Sequence, residues 1–303
     1  MKVVVTGGTG FIGERLVKKL AERGDQVTVL SRRAGKSEYA TQVVWTPTTA
    51  GEWLSEIEHA DAVVHLAGAG ILDKRWTEEH LRICRESRVV PTGLIAEKLR
   101  ERTGASIFVS ASAVGYYGYR HDDALCEESA PPGEDVIAQL CAEWEAACAP
   151  AESAAGVRVV RARIGIVIGL EGGALEQMLP LFRLGLGGPL GSGKQMLAWI
   201  HVDDAVDALV FALDSPALVG PVNVTAPEPV TMGVFANDLG RALSRPAFLR
   251  VPEFAMRIAM GKSADVVLTG QNARPTKLLA AGFEFHHADL PAALRDVLSQ
   301  PRR

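Results

Sequence analysis

Short β-branched runs alternate along the first half of this chain with stretches whose apolar residues recur every three or four positions. The runs fall near residues 2 to 6, 26 to 30, 42 to 45, 61 to 66, 106 to 111 and 157 to 163. Runs of this length are strands, and the intervening period near 3.6 marks the helices that cover them. The alternation predicts an α/β fold, a doubly wound parallel sheet of the Rossmann kind. The first helix is read from Ile12, Leu16 and Leu20, spaced by four with Val17 beside them, and Gly24 is placed to end it. A longer helix is predicted to start near Thr77, an N-cap residue followed by Glu78 and Glu79 where the helix dipole favours acids. Pro91 is expected to kink it.

Beyond about residue 170 the pattern changes to glycine-rich loops, Gly185 to Gly193, and short helices. Thr231 is placed to cap one of these and Pro291 to open the last. This predicts a dinucleotide-binding domain over residues 1–225, with a lobe insertion at about 171–200. A smaller, mainly helical substrate lobe follows over 226–303. A return to the sheet is expected near Pro221 to Thr225.

Thr6-Gly7-Gly8-Thr9-Gly10-Phe11-Ile12-Gly13 stands between the first strand and the first helix. Glycines there permit a tight turn, close backbone approach to a pyrophosphate and close helix packing, while the helix N-terminus offers unpaired N–H groups to an anion. The second strand ends at Ser31-Arg32-Arg33, where an acidic residue would bind the 2'-hydroxyl of NAD. Asp25 lies at the wrong end of that strand. A hydroxyl and a guanidinium suit a 2'-phosphate, so the expected cofactor is NADP(H); the alternative is a pair of solvated loop arginines.

Composition narrows the partners. A net charge of -4 over 303 residues gives no overall basic field, which argues against nucleic acid or an anionic membrane and for a small-molecule substrate. Cys84, Cys126, Cys141 and Cys148 form no Cys-x-x-Cys pair, so neither a disulfide framework nor a zinc site is expected, and a reducing cytoplasm is. The chain enters strand and turn at once, with no leader expected ahead of the fold. The oligomeric state is left open.

Three segments, Thr6 to Gly13, Asp61-Ala-Val-Val-His-Leu-Ala-Gly68, and Val109-Ser-Ala-Ser112 with Tyr117-Gly118, resemble the NAD(P)-dependent epimerase/dehydratase branch of the short-chain dehydrogenase/reductase superfamily. The later stretches Trp199 to Asp204, Pro221 to Pro227 and Gly282 to Phe285 resemble its atypical subgroup of epimerase family proteins. The resemblance implies that Thr6, Gly7, Gly10, Phe11, Ile12 and Gly13 meet the cofactor together with Ser31 and Arg32. It also implies that Leu66, Ala67 and Gly68 line its ribose and phosphates, and that Ser110, Ala111 and Val167 lie toward the nicotinamide. Arg88 resembles an arginine that reaches the cofactor from the long helix, or is a surface charge.

The superfamily's acid-base pair, Tyr-x-x-x-Lys, is absent: the expected positions fall on Ile137 and Cys141. Two readings stay open. In one, an NADP(H)-dependent oxidoreductase or epimerase-like enzyme uses Ser112 to polarise a carbonyl and Tyr116 or Tyr117 as proton donor, with Arg120 as a source of positive charge. In the other, the chain binds NADP(H) without turnover, as a sensor or scaffold. An enzyme predicts an open polar cavity beside Ser112, and a sensor predicts that space filled. No metal is expected. Gly188 to Lys194 imitates a phosphate-binding loop but continues with Gln195 where magnesium needs Ser or Thr. Asp203 and Asp204 are read as caps of the helical run 205 to 213, and His286 and His287 as neighbours without metal spacing.

Overall fold

In the computed structural model, which describes residues 1–300, seven strands form one parallel sheet. They are β1 (Lys2–Thr6), β2 (Gln26–Ser31), β3 (Thr41–Val44), β4 (Ala62–His65), β5 (Ser106–Ala113), β6 (Val157–Ile164) and β7 (Gly220–Val224). Their spatial order is β7-β6-β5-β4-β1-β2-β3. The order reverses at β1, and in open α/β sheets that reversal opens a crevice at the carboxyl ends of the strands. The return to the sheet is β7, which pairs parallel to β6 from Gly220 opposite Val160 to Val224 opposite Ile164.

Two helices on opposite faces prepare the cofactor side. Helix α1 (Phe11–Glu22) buries Gly13, Leu16, Val17 and Leu20 on the sheet. Helix α2 (Glu78–Glu101) begins at Thr77, whose side chain accepts the His80 N–H, and buries Ile95, Ala96 and Leu99 on the other face. It runs on through Pro91 without ending, and the Thr92 hydroxyl donates to the Arg88 carbonyl at 2.7 Å. Helix α3 (Val136–Ala146) follows, capped by Asp135, which accepts the N–H groups of Ile137 and Ala138.

A second core takes residues from both sides of β7. Leu175, Leu179 and Phe182 of α4 (Gly173–Arg183) join Trp199, which precedes α5 (Val202–Asp214), with Phe235 and Leu239 of α6 (Met232–Ala242) and Leu294 and Val297 of α8 (Leu290–Ser299). Thr231 caps α6 by accepting the Val234 N–H, and Pro291 stands in the first turn of α8. Between α4 and α6 runs α5, which packs on the sheet core. Another helix of the lobe, α7 (Glu253–Met260), buries none of its residues.

The cap of α5 differs from the sequence expectation. His201, not an aspartate, is the N-cap, and its Nδ1 accepts the Asp203 N–H at 3.1 Å. Asp204 is fully buried and accepts the backbone N–H groups of His286 (3.0 Å) and His287 (2.9 Å). Carboxylates beside a helix start serve any nearby donor, and here a distant segment supplies two.

Candidate dinucleotide site

The β1–α1 turn is shaped by what its glycines leave out. Gly7 has φ +70°, and a Cβ on it would sit 2.9 Å from the Ala67 nitrogen. A Cβ on Gly13 would overlap the Gly7 carbonyl oxygen. Only glycine allows β1, the loop after β4 and the start of α1 to meet this closely. Gly10 closes the turn by donating its N–H to the Gly7 carbonyl at 3.0 Å. The next N–H groups, those of Phe11, Ile12 and Gly13, stand in the first turn of α1, where a helix has no internal acceptors for them. The Phe11 ring turns away to pack on Gly169 and Gly172, and Ile12 packs on the sheet core. Both would meet a ligand through backbone alone.

Thr6 braces this turn. Its hydroxyl lies 2.6 Å from His65 Nδ1 and accepts the Ala67 N–H at 3.3 Å. His65 is completely buried, and burial together with the nearby Arg88 guanidinium pushes its pKa down to about 3. The ring is therefore neutral at any physiological pH.

Gly7, Thr9 and Gly10 open onto a cavity of about 400 Å³ that also touches Ser31 and Arg32, then Leu66, Ala67 and Gly68. The sequence reading missed other walls of this cavity: Trp45, Pro47, Ala69, Ile83 and Ser87. Trp45 directly follows β3 and stacks edge-on against Trp53 and His65. The loop that brings it back over the crevice has no local signature. No carboxylate lines the cavity.

Arg88 is half-buried, and its guanidinium lies 5.2 Å from the Trp144 ring. One Nη donates to the carbonyls of Ala69 (2.8 Å) and Cys84 (3.0 Å), and the guanidinium carbon lies 2.9 Å from where a Gly68 Cβ would be. It thus grips the loop that lines the cavity and has no ion-pair partner among the described residues. Burial lowers its pKa, since little surrounds the charge to replace water.

Farther along the crevice the hydroxyls are already engaged. Ser112 is 3% exposed and donates to Glu145 Oε1 at 2.7 Å. Arg163 grips the same carboxylate with two bonds, at 2.7 and 2.9 Å, and donates to the Tyr117 hydroxyl at 3.0 Å. Tyr117, also 3% exposed, passes its proton toward Asn223 Oδ1 at 2.7 Å, and burial pushes its pKa up to about 12. Tyr116 differs. It is half-buried, its ring covers the Arg163 guanidinium at 3.5 Å, and its hydroxyl has no hydrogen-bond partner among the described residues. Arg120, the expected source of positive charge, instead pairs with Asp122 at 2.9 Å. Ile137 and Cys141 face the 114–117 turn, at 2.7 and 3.8 Å from where a Gly115 Cβ would stand. Burial pushes the Cys141 thiol up to about 12, so it is an inert filler.

The other residues placed near the nicotinamide are buried. Ser110 donates to the Ala111 carbonyl at 3.3 Å, Ala111 is buried within β5, and the Val167 side chain lies in the sheet core. The Gly188 to Lys194 loop is followed by a two-residue strand rather than a helix, and Gln195 donates to the carbonyls of Leu190 and Val267. That excludes a phosphate-binding loop of the triphosphate type. His287 stacks on His201, ring centroids 3.8 Å apart, with Asp203 and Asp296 nearby. The set does not suit a metal: His201 Nδ1 already accepts an N–H, so its proton sits on Nε2, where a metal would need a lone pair.

Comparison with known proteins agrees with this geometry. The NAD dependent epimerase/dehydratase family matches residues 3–225, and a domain of unknown function, DUF1731, matches residues 251–297. The chloroplastic epimerase family protein SDR39U1 homolog of Arabidopsis thaliana is 40% identical over 98% of this chain and 87% of its own length. The epimerase family protein YfhF of Bacillus subtilis is 36% identical over 99% and 98%. Among solved structures, human epimerase family protein SDR39U1 (isoform 2) with NADPH superposes with a TM-score of 0.86 at 35% identity, covering 98% of this chain and 99% of that one. With its glycine turn, parallel sheet and crevice, the chain belongs to the NAD dependent epimerase/dehydratase family.

Proposed function

We propose that this chain binds NADPH in preference to NADH and transfers hydride to an activated carbonyl of a small molecule. The observation that carries the cofactor choice is the meeting of Ser31 and Arg32 with Gly7 and Gly10 on one cavity that no carboxylate lines. A 2'-phosphate there gains a cation and a hydroxyl and meets no repulsion. The NADPH bound by the human relative supports the same choice. Four buried free thiols fit a reducing compartment such as the cytoplasm.

For the chemistry, Tyr116 is the one of the two candidate tyrosines whose hydroxyl is not committed, since that of Tyr117 is held by Asn223 and Arg163, so it is the proton donor in this reading. A second reading, NADPH binding without turnover, is favoured by the engaged hydroxyls of Ser112 and Tyr117, because Glu145 and Arg163 fill the space beside Ser112.

Calorimetric titration of NADPH and NADH tests the cofactor, and NADPH consumption with aldehydes and quinones separates the two readings of the chemistry. A charged contact of this kind supplies roughly 1.5 to 3 kcal/mol, about ten- to a hundred-fold in affinity. Arg32→Asp should remove that preference. Equal binding of both dinucleotides by the unaltered protein would sink the cofactor assignment.

A further inference from the structure

The large apolar side chains that the fold leaves in solvent are concentrated. The most exposed are Phe248 (74%), Ile258 (72%), Leu184 (71%) and Phe254 (67%), all on the second lobe. They belong to adjoining segments. The loop after α4 runs beside residues 246–251: Leu249 donates its N–H to the Gly187 carbonyl at 3.3 Å, and a Cβ on Gly185 would touch Pro246 at 3.5 Å. The second segment leads directly into α7, which carries six apolar residues of eight and buries none. Phe254 and Ile258 stand one turn apart on one face of it.

Positive charge gathers at the same place. Arg183, Arg245, Arg250 and Lys262 are all exposed, and none has an ion-pair partner among the described residues. The acids nearby, Glu253 and Asp265, are taken up by Arg257. The chain as a whole carries -4, so its average charge conceals a local field of opposite sign.

We infer that this face docks on an anionic lipid surface. Aromatic and aliphatic side chains that stand out from a basic rim fit the boundary between headgroups and acyl chains, and unpaired cations fit the phosphates. Two copies meeting through the face would set like charges against each other. The contact lies on a membrane and does not span it, as no helix among the described residues is long and apolar enough to cross one. It does not depend on which dinucleotide the cavity holds.

Flotation of the full chain with vesicles tests this. The protein should float with phosphatidylcholine vesicles that contain phosphatidylglycerol, stay behind with phosphatidylcholine alone, and be released by salt. Arg245→Ala and Arg250→Ala should each lower the partition coefficient about five-fold. Phe248→Ser with Phe254→Ser should abolish flotation at unchanged charge, and NADPH titration of every variant shows whether it is folded. The inference fails if the protein ignores anionic vesicles at low salt, or if flotation is indifferent to both sets of substitutions. It also fails if sedimentation shows a dimer that Phe248→Ser dissociates, which would give the face to a second copy.

Discussion

A phenol donates a proton in catalysis only when its hydroxyl faces the reacting atom, and Tyr117 faces Asn223 and Arg163 instead. Tyr117→Phe should therefore cost about 1 to 3 kcal/mol of stability, because it strands buried polar partners, and leave any carbonyl reduction per folded molecule unchanged. Tyr116→Phe should do the reverse, lowering turnover with little effect on the unfolding midpoint. Urea titration beside steady-state rates distinguishes the two. His65 offers a separate test. Its folded pKa lies below the unfolded value near 6.5, so its contribution is fully present above pH 6.5 and is lost as pH falls toward about 3. Between pH 6.5 and 5 the loss is about 2 kcal/mol, and His65→Asn should flatten that part of the stability profile.

Among the elements, the β1–α1 turn has a geometry without slack. Gly13→Ala forces a methyl group onto the Gly7 carbonyl, so the turn must open even though alanine is the better helix former. The expected outcome is loss of NADPH binding at nearly unchanged helix content, measured by calorimetry and circular dichroism. Tight binding by that variant would show that the turn does not hold the pyrophosphate. Helix α2 illustrates a different point. Its start at Thr77 was legible because capping is a local hydrogen bond, and its continuation past Pro91 rests on the packing of Ile95, Ala96 and Leu99, which outweighs one missing N–H.

At the scale of the whole molecule, the carboxylate of Asp204 ties the C-terminal segment to α5 through two backbone donors. Asp204→Ala removes the acceptor of both part-buried N–H groups, and the expected cost is about 1 to 3 kcal/mol. Hydrogen exchange should show residues 286 to 299 opening first. The missing tyrosine–lysine pair also bears on the whole molecule, since the carboxylate that meets Ser112, Glu145 of α3, is already held by Arg163 of β6. Little or no 4-epimerase turnover on nucleotide sugars is expected. Rates on the order of 1 to 1000 per second in a coupled epimerase assay would contradict it and require a base from elsewhere.

The sequence by itself determined the parallel sheet, the glycine turn and the absence of the usual acid-base pair. Each of these is written in local periodicity, backbone permissiveness or the identity of single residues, and Ser31 with Arg32 could be placed because they end a strand whose neighbour was known. Only the tertiary structure decided which side chains were free to act. Ser112 and Tyr117 looked available until Glu145, Arg163 and Asn223 came to them from α3, β6 and β7. Trp45 entered the cavity wall by a loop, and His287 reached His201 across more than eighty residues of chain. Burial and hydrogen-bond partnership are properties of pairs brought together by folding, and residues far apart in sequence carry no local mark of them.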